Sequence, residues 1–304
     1  MVLDEREWFF EAYTPNEGHA HRVREHVVSL RTAFQQVDVV ELRDYGRALL
    51  LDGTMQSAEA DEYIYHETLL HPALCTHPRP ERVLVVGGGE GATLREALRH
   101  PSVVRVDAVE IDPDVVEVVK THLAAWHAGA FEDPRTRLVV QDGRRFVETA
   151  EDTYDVIVVD ASDPNENGVS SPLFTRGFYT AVRRRLRPGG LIAIQAGTSA
   201  PGGMLPAVHR TLQAVFPIVR VMETGVPSFA LPWAFALAST AWDPAGLDAA
   251  EIDRRIADRE IRGLRAYDGL THEHLLRPRK VLRNRLALEA PVLEDPVPAA
   301  AVPR

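Results

Sequence analysis

Acidic side chains stand where three apolar runs of this sequence end. Glu110 ends the run VVRVDAVE, Asp142 follows RLVVQ, and Asp160 and Asp163 follow YDVIVV. Runs rich in Val and Ile are typical of buried parallel strands, whose carboxyl ends meet at one edge of a sheet and bind ligands there. The sequence therefore predicts several carboxylates around one site, which suits a positively charged ligand.

A glycine-rich loop precedes these acids. The run RVLVV leads into GGGEG at 87–91, where Gly87 and Gly89 permit a tight turn and a close approach of the backbone to a ligand. Glu110 lies about twenty residues further on, where a carboxylate can take both ribose hydroxyls of a nucleoside. Asp142, followed by Gly143, could accept the adenine amino group. The three strand ends together indicate an adenosyl ligand, whereas the loop on its own also fits a turn without a ligand.

Glu90 bears on which adenosyl compound binds. In an NAD dehydrogenase Glu90 would lie beside the pyrophosphate, at a helix N-terminus that attracts anions. The two negative charges would repel each other, so an NAD dehydrogenase is disfavoured. Two like charges about 4 Å apart repel by roughly 4 kcal/mol at an effective dielectric near 20, so Glu90 also opposes the carboxylate of S-adenosylmethionine. The decarboxylated compound keeps only its cationic amine, which Glu90 attracts. A small-molecule methyltransferase is therefore the disfavoured alternative.

Two carboxylates, Asp160 and Asp163, follow the fourth strand-like run. A reaction between two cations needs such a pair, because a protonated amine must be held and must lose a proton before its lone pair can attack. The segment DASDP also fits a capped turn between a strand and a loop.

The surrounding pattern predicts an α/β fold. Apolar runs alternate with helical patterns from residue 82 onward, which is the signature of a doubly wound, mostly parallel sheet in a Rossmann-like fold. The runs IVRVMET and WAFALAS are expected to close the sheet, the second as an antiparallel edge. We predict a small N-terminal β domain at 1–58 that contains a hairpin, a catalytic domain at 59–287 that begins with a helix near Glu59, and a disordered Pro/Ala-rich tail at 288–304.

Composition narrows the function. The formal net charge is -10, which disfavours nucleic acid and anionic membranes as partners. No apolar run approaches 18 residues and the N-terminus is acidic, so a cytoplasmic protein is expected. Cys75 is the only cysteine, and the spacing of His66, His71 and His77 is not that of a zincin, so no metal site is predicted.

The sequence resembles the polyamine aminopropyltransferases, the spermidine synthase family, in order and spacing over roughly residues 8 to 240. The resemblance rests on these stretches: WFFE, LDGTMQSAEADEYIYHETLLHP, RVLVVGGGEGATLREALRHP, VEIDPDVVEVVK, DPRTRLVVQDGRRFV, YDVIVVDASDP and LRPGG. It implies transfer of an aminopropyl group from decarboxylated S-adenosylmethionine, a co-substrate rather than a cofactor, to a polyamine, with release of methylthioadenosine. It also implies a homodimer or homotetramer.

The resemblance also implies roles for individual residues. The donor would be bound by Gln35, Gln56, Gly87, Gly89, Glu90, Glu110, Asp142 and Gly143. Asp160 would be the base and Tyr65 its partner in orienting the attacking amine. The acceptor would be bound by Asp163, His66, Trp8, Gln195 and Phe229. A catalytically silent polyamine-binding protein is the third alternative, and the intact Tyr65, Asp160 and Asp163 oppose it.

Departures from the putrescine-using members concern the acceptor. Glu90 stands where Asp is commoner, QAGTSAPGG follows the fifth strand, and GVPSFALPWAFALAS replaces a Tyr-Pro stretch and places Phe229 near a lost tyrosine hydroxyl. The chain is more similar to thermospermine synthases and to thermophile enzymes that use agmatine or triamines. We expect spermidine or a longer polyamine first, agmatine second and putrescine third. The loop at 163–174 is the candidate lid, and it fits an ordinary mobile connection equally well.

Overall fold

The computed structural model of the protein describes residues 7–14, 16–163 and 169–296. Within them an antiparallel sheet of five strands precedes a sheet of seven strands that is mostly parallel. The predicted fold class is confirmed. The strands are β1 Trp8–Thr14, β2 Glu17–Arg31, β3 Gln36–Leu42, β4 Gly46–Leu51, β5 Thr54–Ala58, β6 Arg82–Gly87, β7 Arg105–Glu110, β8 Thr136–Val140, β9 Tyr154–Asp160, β10 Leu186–Thr198, β11 Ile218–Gly225 and β12 Pro232–Ser239.

The predicted N-terminal hairpin is formed by β3 and β4. Leu42 pairs with Gly46, and Gly46 has a φ of 71°, a conformation that glycine adopts without a steric penalty. Inward-facing side chains such as Val40, Leu42 and Leu50 are buried and pack against helix residues of the second region. The N-terminal sheet therefore lies against the larger sheet rather than apart from it.

The seven-stranded sheet has the order β11-β12-β10-β9-β6-β7-β8. β12 is antiparallel to both β10 and β11. The expectation that WAFALAS is the edge strand was wrong, because β12 lies inside the sheet and β11 is the edge. Burial of every residue from Ala234 to Ser239 agrees with a strand that is covered on both faces and paired on both sides.

Helices cover both faces of this sheet. One face packs against the first helix and the second packs against the sixth and seventh, in two separate apolar clusters. The first helix begins at Glu62 rather than near Glu59. The helices are α1 Glu62–Thr76, α2 Ala92–Leu98, α3 Pro113–His122, α4 Ala124–His127, α5 Gly143–Thr149, α6 Arg176–Arg185, α7 Leu205–Gln213, α8 Ala249–Asp258, α9 Gly269–Leu275 and α10 Lys280–Leu286. No helix in the described ranges is both long and apolar enough to cross a bilayer.

The C-terminal segment differs from its prediction. Residues 288–296 were expected to be disordered, but Leu293 donates its N–H to Thr211 Oγ1 at 2.9 Å and accepts a hydrogen bond from Arg176 N at 2.7 Å. Asp295 pairs with Arg144 at 2.7 Å. A composition rich in Pro and Ala lowers the average tendency to fold, yet one leucine and one aspartate supply these specific contacts. Residues 297–304 lie outside the described part of the chain.

Candidate active site

A cleft opens at the carboxyl ends of the parallel strands β6, β7, β8 and β9, under the β2–β3 turn and β5. Its empty volume is about 1070 Å³, including the part open to solvent. All of the residues predicted to bind the donor line it, together with Tyr65 and Asp160. The donor set comprises Gln35, Gln56, Gly87, Gly89, Glu90, Glu110, Asp142 and Gly143.

Glycines in the loop after β6 are required by close contacts. Gly87 has a φ of 83°, and a Cβ there would lie 2.2 Å from the backbone oxygen of Asp160. Gly88 donates its N–H to that same oxygen at 2.7 Å. At Gly89 a Cβ would lie 2.9 Å from Glu110 Oε2. The loop therefore touches both the predicted base and the predicted ribose ligand.

Glu110 is a buried carboxyl at the end of β7. Its Oε1 accepts hydrogen bonds from the backbone N–H groups of Ile111 at 2.8 Å and Asp112 at 3.0 Å, while Oε2 faces the loop at Gly89. Burial raises its pKa from 4.5 to about 7, against the lowering effect of those two N–H groups. Further hydrogen-bond donors, such as a pair of ribose hydroxyls, would stabilise the ionised form.

Asp142 and the two glutamines frame the rest of the cleft. Asp142 caps α5 by accepting from Arg145 N at 2.7 Å, and a Cβ on Gly143 would lie 2.4 Å from Val86 Cγ1. Gln35 Nε2 donates to Asp112 Oδ2 at 3.0 Å, and Gln56 Nε2 donates to the carbonyl of Thr54 at 3.1 Å.

Asp160 ends β9 with hydrogen-bond donors on both carboxylate oxygens. Tyr65 Oη donates to Oδ1 at 2.8 Å and Thr93 Oγ1 donates to Oδ2 at 2.5 Å. Burial, together with the charge of Asp160, raises the pKa of Tyr65 well above its usual range, so the phenol stays protonated and donates. Sequence reasoning missed Thr93. Its position in the first turn of the helix that follows the glycine loop was the available signal.

His66, which was predicted to bind the acceptor, is paired with two glutamates in the structure. The ring is fully buried and both of its nitrogens are engaged, Nδ1 with Glu62 Oε2 at 2.9 Å and Nε2 with Glu90 Oε1 at 2.6 Å. Burial alone lowers the pKa of His66, but the carboxylates of Glu90 and Glu62 outweigh it and raise the pKa well above the usual range. His66 is therefore an imidazolium that holds Glu90, with the hydroxyl of Ser57 on the other oxygen of Glu90.

This pairing changes the electrostatic argument about Glu90. The sequence suggested an isolated negative charge that repels a carboxylated donor. In the structure an imidazolium lies against that charge, and Arg95 pairs with Glu62 behind it at 2.9 Å. The repulsion of a carboxylate by Glu90 is consequently smaller than the estimate for two unscreened neighbours.

Asp163 and Gln195 lie together, and Phe229 packs against Tyr65. Gln195 Nε2 donates to the carbonyl of Ala161 at 2.7 Å and lies 3.5 Å from Asp163 Oδ1. Burial raises the pKa of Asp163 to about 6, although the amide of Gln195 lowers it. The ring of Phe229 meets that of Tyr65 edge-on at a centroid distance of 6.0 Å.

The structure does not bring Trp8 to this site. Consecutive side chains of a strand point to opposite faces, so Trp8 faces away from the side of β1 that carries Glu11 and Tyr13. Tyr13 Oη donates to the carbonyl of Phe229 at 2.7 Å. Glu11 is buried, and this burial raises its pKa to about 7, with a further upward contribution from the charge of Asp163.

Glu11 is thus a candidate acceptor residue that sequence reasoning missed. The alternation in WFFEAY, which puts Glu11 and Tyr13 on one face of a strand, was the signal. Across the described ranges, no group of three or more His, Cys, Asp or Glu side chains is arranged to hold a metal ion.

Comparisons with known proteins agree with this geometry. The family described as spermine/spermidine synthase domain matches residues 62–245, and the spermidine synthase tetramerisation domain matches residues 7–59. The polyamine aminopropyltransferase of Sulfolobus acidocaldarius is 42% identical over 97% of this chain and 98% of its own. Polyamine aminopropyltransferase 2 of Hyperthermus butylicus is 46% identical over 89% of this chain and 90% of its own.

A solved structure gives the same result. The spermidine synthase crystallised with the transition-state analogue AdoDATO aligns with a TM-score of 0.85 at 31% identity, and the alignment covers 93% of this chain and 95% of that one. The chain belongs to the spermine/spermidine synthase family.

Proposed function

We propose that the protein transfers the aminopropyl group of decarboxylated S-adenosylmethionine to an amine of a polyamine. The amine nitrogen attacks the carbon next to the sulfonium, a new C–N bond forms and the C–S bond breaks. The bonding electron pair passes to sulfur, which leaves as neutral methylthioadenosine, and the nitrogen loses a proton. The observation that carries this proposal is the carboxylate of Asp160, which Tyr65 and Thr93 hold beside a cleft suited to a nucleoside.

Donor recognition follows from the end of each strand. In the proposal Glu110 accepts hydrogen bonds from the ribose, Asp142 accepts one from the adenine amino group, and Gln56 supports the nucleoside from β5. Glu90 meets the cationic amine of the aminopropyl chain, while His66 fixes its direction from behind. Glycines at 87 and 89 let the sulfonium approach the backbone.

Asp160 is the proposed base, and its donors define how it acts. Among the described residues, each oxygen of Asp160 accepts one side-chain hydrogen bond, and a further lone-pair direction on each oxygen can meet an incoming ammonium. Tyr65 and Thr93 fix the carboxylate, so the amine is aligned before it loses its proton. Sulfur is a good leaving group, and the residues chiefly position the amine, accept its proton and exclude water.

The acceptor region supports a substrate that carries more than one positive charge. In the proposal the acceptor lies near the carboxyls of Asp163 and Glu11, whose charges interact, and Gln195 orients the first of them. Two carboxyls close to aromatic rings suit a chain that carries several ammonium groups and methylene spacers. We propose spermidine or a longer polyamine first, agmatine second and putrescine third.

The proposal includes a homo-oligomer, either a dimer or a tetramer, in the cytoplasm. A tetramerisation-domain match over residues 7–59 supports self-association. Phe10 and Leu30, on β1 and β2 of that region, are 59% and 39% exposed. Light scattering coupled to size exclusion measures the assembly, and a monomer at micromolar concentration would contradict it.

One experiment tests reaction and acceptor together. The protein receives decarboxylated S-adenosylmethionine with an equimolar mixture of putrescine, agmatine, spermidine and spermine, and mass spectrometry identifies the products. Methylthioadenosine with an aminopropylated amine is the expected result. A parallel reaction with intact S-adenosylmethionine tests the methyltransferase alternative, and methylated products there would overturn the proposal.

Asp160→Asn tests the base. We expect a loss of about 10²- to 10⁴-fold in kcat, the usual range for a missing general base. Methylthioadenosine binding should change little, because Asn keeps the size of the side chain. The exposed Asp114→Asn is the matched control, with unchanged kcat. Wild-type turnover in Asp160→Asn would assign proton removal to another group.

A further inference from the structure

The carboxylate of Asp112 joins the two sheets beside the nucleoside cleft. Asp112 is the N-cap of α3 and is fully buried, and its Oδ1 accepts from Asp114 N at 3.1 Å. Its Oδ2 accepts from Thr32 Oγ1 at 2.7 Å and from Gln35 Nε2 at 3.0 Å. Both donors belong to the turn between β2 and β3, in the N-terminal region.

That turn is organised around the hydroxyl of Thr32. The hydroxyl oxygen accepts hydrogen bonds from the backbone N–H groups of Phe34 and Gln35, each at 3.0 Å, and Thr32 N donates to the carbonyl of Gln35 at 2.9 Å. Phe34 and Gln35 line the cleft, whereas Thr32 and Asp112 are not among its described lining residues. Asp112 therefore holds part of the cleft wall without facing the cleft.

The bond to Asp112 fixes which end of the Gln35 amide meets a ligand. A carboxylate accepts hydrogen bonds and an amide NH₂ donates them, so Gln35 must direct Nε2 to Asp112 and Oε1 away from it. Glu110 presents a second acceptor, Oε2, in the same cleft. Two acceptor oxygens, one from each region of the chain, match a ligand that brings two hydroxyl donors.

We infer that Asp112 is a positioning residue that turns the Gln35 carbonyl oxygen toward the ribose of the adenosyl donor. The inference rests on the proposed function, because it names the atom that meets that donor. In this inference both sheets contribute residues to the nucleoside site, and one buried carboxylate holds the N-terminal turn in position.

An isosteric exchange tests this role, with methylthioadenosine as the probe and calorimetry as the measurement. In Asp112→Asn the α3 cap remains, since Asn caps as well as Asp, but its NH₂ now faces donors. We expect methylthioadenosine to bind about tenfold more weakly, the effect of one lost charged hydrogen bond. Gln35→Glu alone opposes two carboxylates and should weaken binding by at least as much.

The double variant Asp112→Asn with Gln35→Glu is the decisive case. The carboxylate at position 35 can accept from the amide at 112 while its second oxygen faces the ribose, so affinity should return to within about threefold of wild type. The donor KM should follow the same pattern while kcat at saturating donor stays near wild type. A role of Asp112 that does not act through Gln35 predicts losses that multiply in the double variant, and that outcome would overturn the inference.

Two further measurements keep the result interpretable. Thr32→Val removes the other donor to Asp112 at a position that does not line the cleft, and should also weaken methylthioadenosine binding even if Asp112→Asn fails to fold. Asp114→Asn, exposed on α3, is the control with unchanged affinity. Wild-type protein that binds no methylthioadenosine would refute the proposed function, whereas wild-type affinity in Asp112→Asn and Thr32→Val would refute the inference alone.

Discussion

Methylthioadenosine should bind more weakly as the pH falls through 7, because the proposed binding site contains a carboxyl whose pKa burial raises to about 7. The pKa of Glu110 rises from 4.5 to about 7 in the unliganded protein. Each pKa unit corresponds to about 1.4 kcal/mol, so holding this carboxylate ionised costs about 3 kcal/mol relative to water. Ribose hydroxyls donate to the ionised form, and binding below pH 7 must therefore release a proton.

The size of the effect follows from the fraction of Glu110 that is ionised. With a pKa of about 7, roughly nine-tenths is ionised at pH 8 and roughly one-tenth at pH 6, so affinity should fall about tenfold between them. Calorimetry at pH 8, 7 and 6, in buffers with different ionisation enthalpies, measures both the affinity and the protons released. We expect about one proton released per ligand at pH 6.

Variants identify the group that titrates. Glu110→Gln should bind weakly at every pH and lose the pH dependence. Glu11→Gln is the matched control: its carboxyl also has a pKa of about 7, but it lies on the acceptor side, so the variant should keep the full slope for methylthioadenosine. An affinity that stays constant from pH 8 to pH 6 in the wild-type protein would refute the reasoning.

Two other predictions concern the acceptor and the C-terminal segment. Glu11→Gln should raise the KM of spermidine about tenfold at pH 8 with little change in kcat, because a buried carboxylate proposed to pair with an ammonium is lost. In steady-state assays the wild-type KM should fall as the pH rises through about 7, where Glu11 ionises. An equal KM in both proteins would contradict the proposed role of Glu11. Asp295→Asn should weaken methylthioadenosine binding about threefold, as expected for a partly exposed pair, because Asp295 holds Arg144, which lines the cleft. Glu294→Gln breaks only the neighbouring exposed pair with Arg176 and should leave the affinity measured by calorimetry unchanged; identical effects of the two variants would exclude the Arg144 route.

The fold class could be predicted because parallel strands that are buried on both faces leave continuous Val and Ile runs. The donor side of the site followed from the same pattern, since Glu110 and Asp142 stand where strands end and the chain must turn. The position of β12 could not be predicted, because a fully apolar run shows that a strand is buried and not which neighbours it pairs with. The order of strands depends on contacts far apart in the chain.

The acceptor side was harder to predict because it depends on side-chain direction. Trp8 and Glu11 lie three residues apart, and only the strand geometry of β1 separates their faces. The role of His66 on α1 depends on its contact with Glu90 in the glycine loop, which is distant in sequence. A sequence motif names the residue types, but it does not say which partner a histidine nitrogen meets. The docking of Leu293 was missed for a related reason, because its partner Thr211 lies 82 residues earlier in the chain.

The hydrogen bond from Gly88 N to the carbonyl of Asp160 fixes the distance between the glycine loop and the proposed base. The glycine loop follows β6 and the proposed base ends the adjacent strand β9, and the two are joined by a main-chain contact that no side-chain exchange removes. Substitutions in the walls beyond Tyr65 can therefore change which amine is accepted while the distance from the glycine loop to the proposed base is preserved.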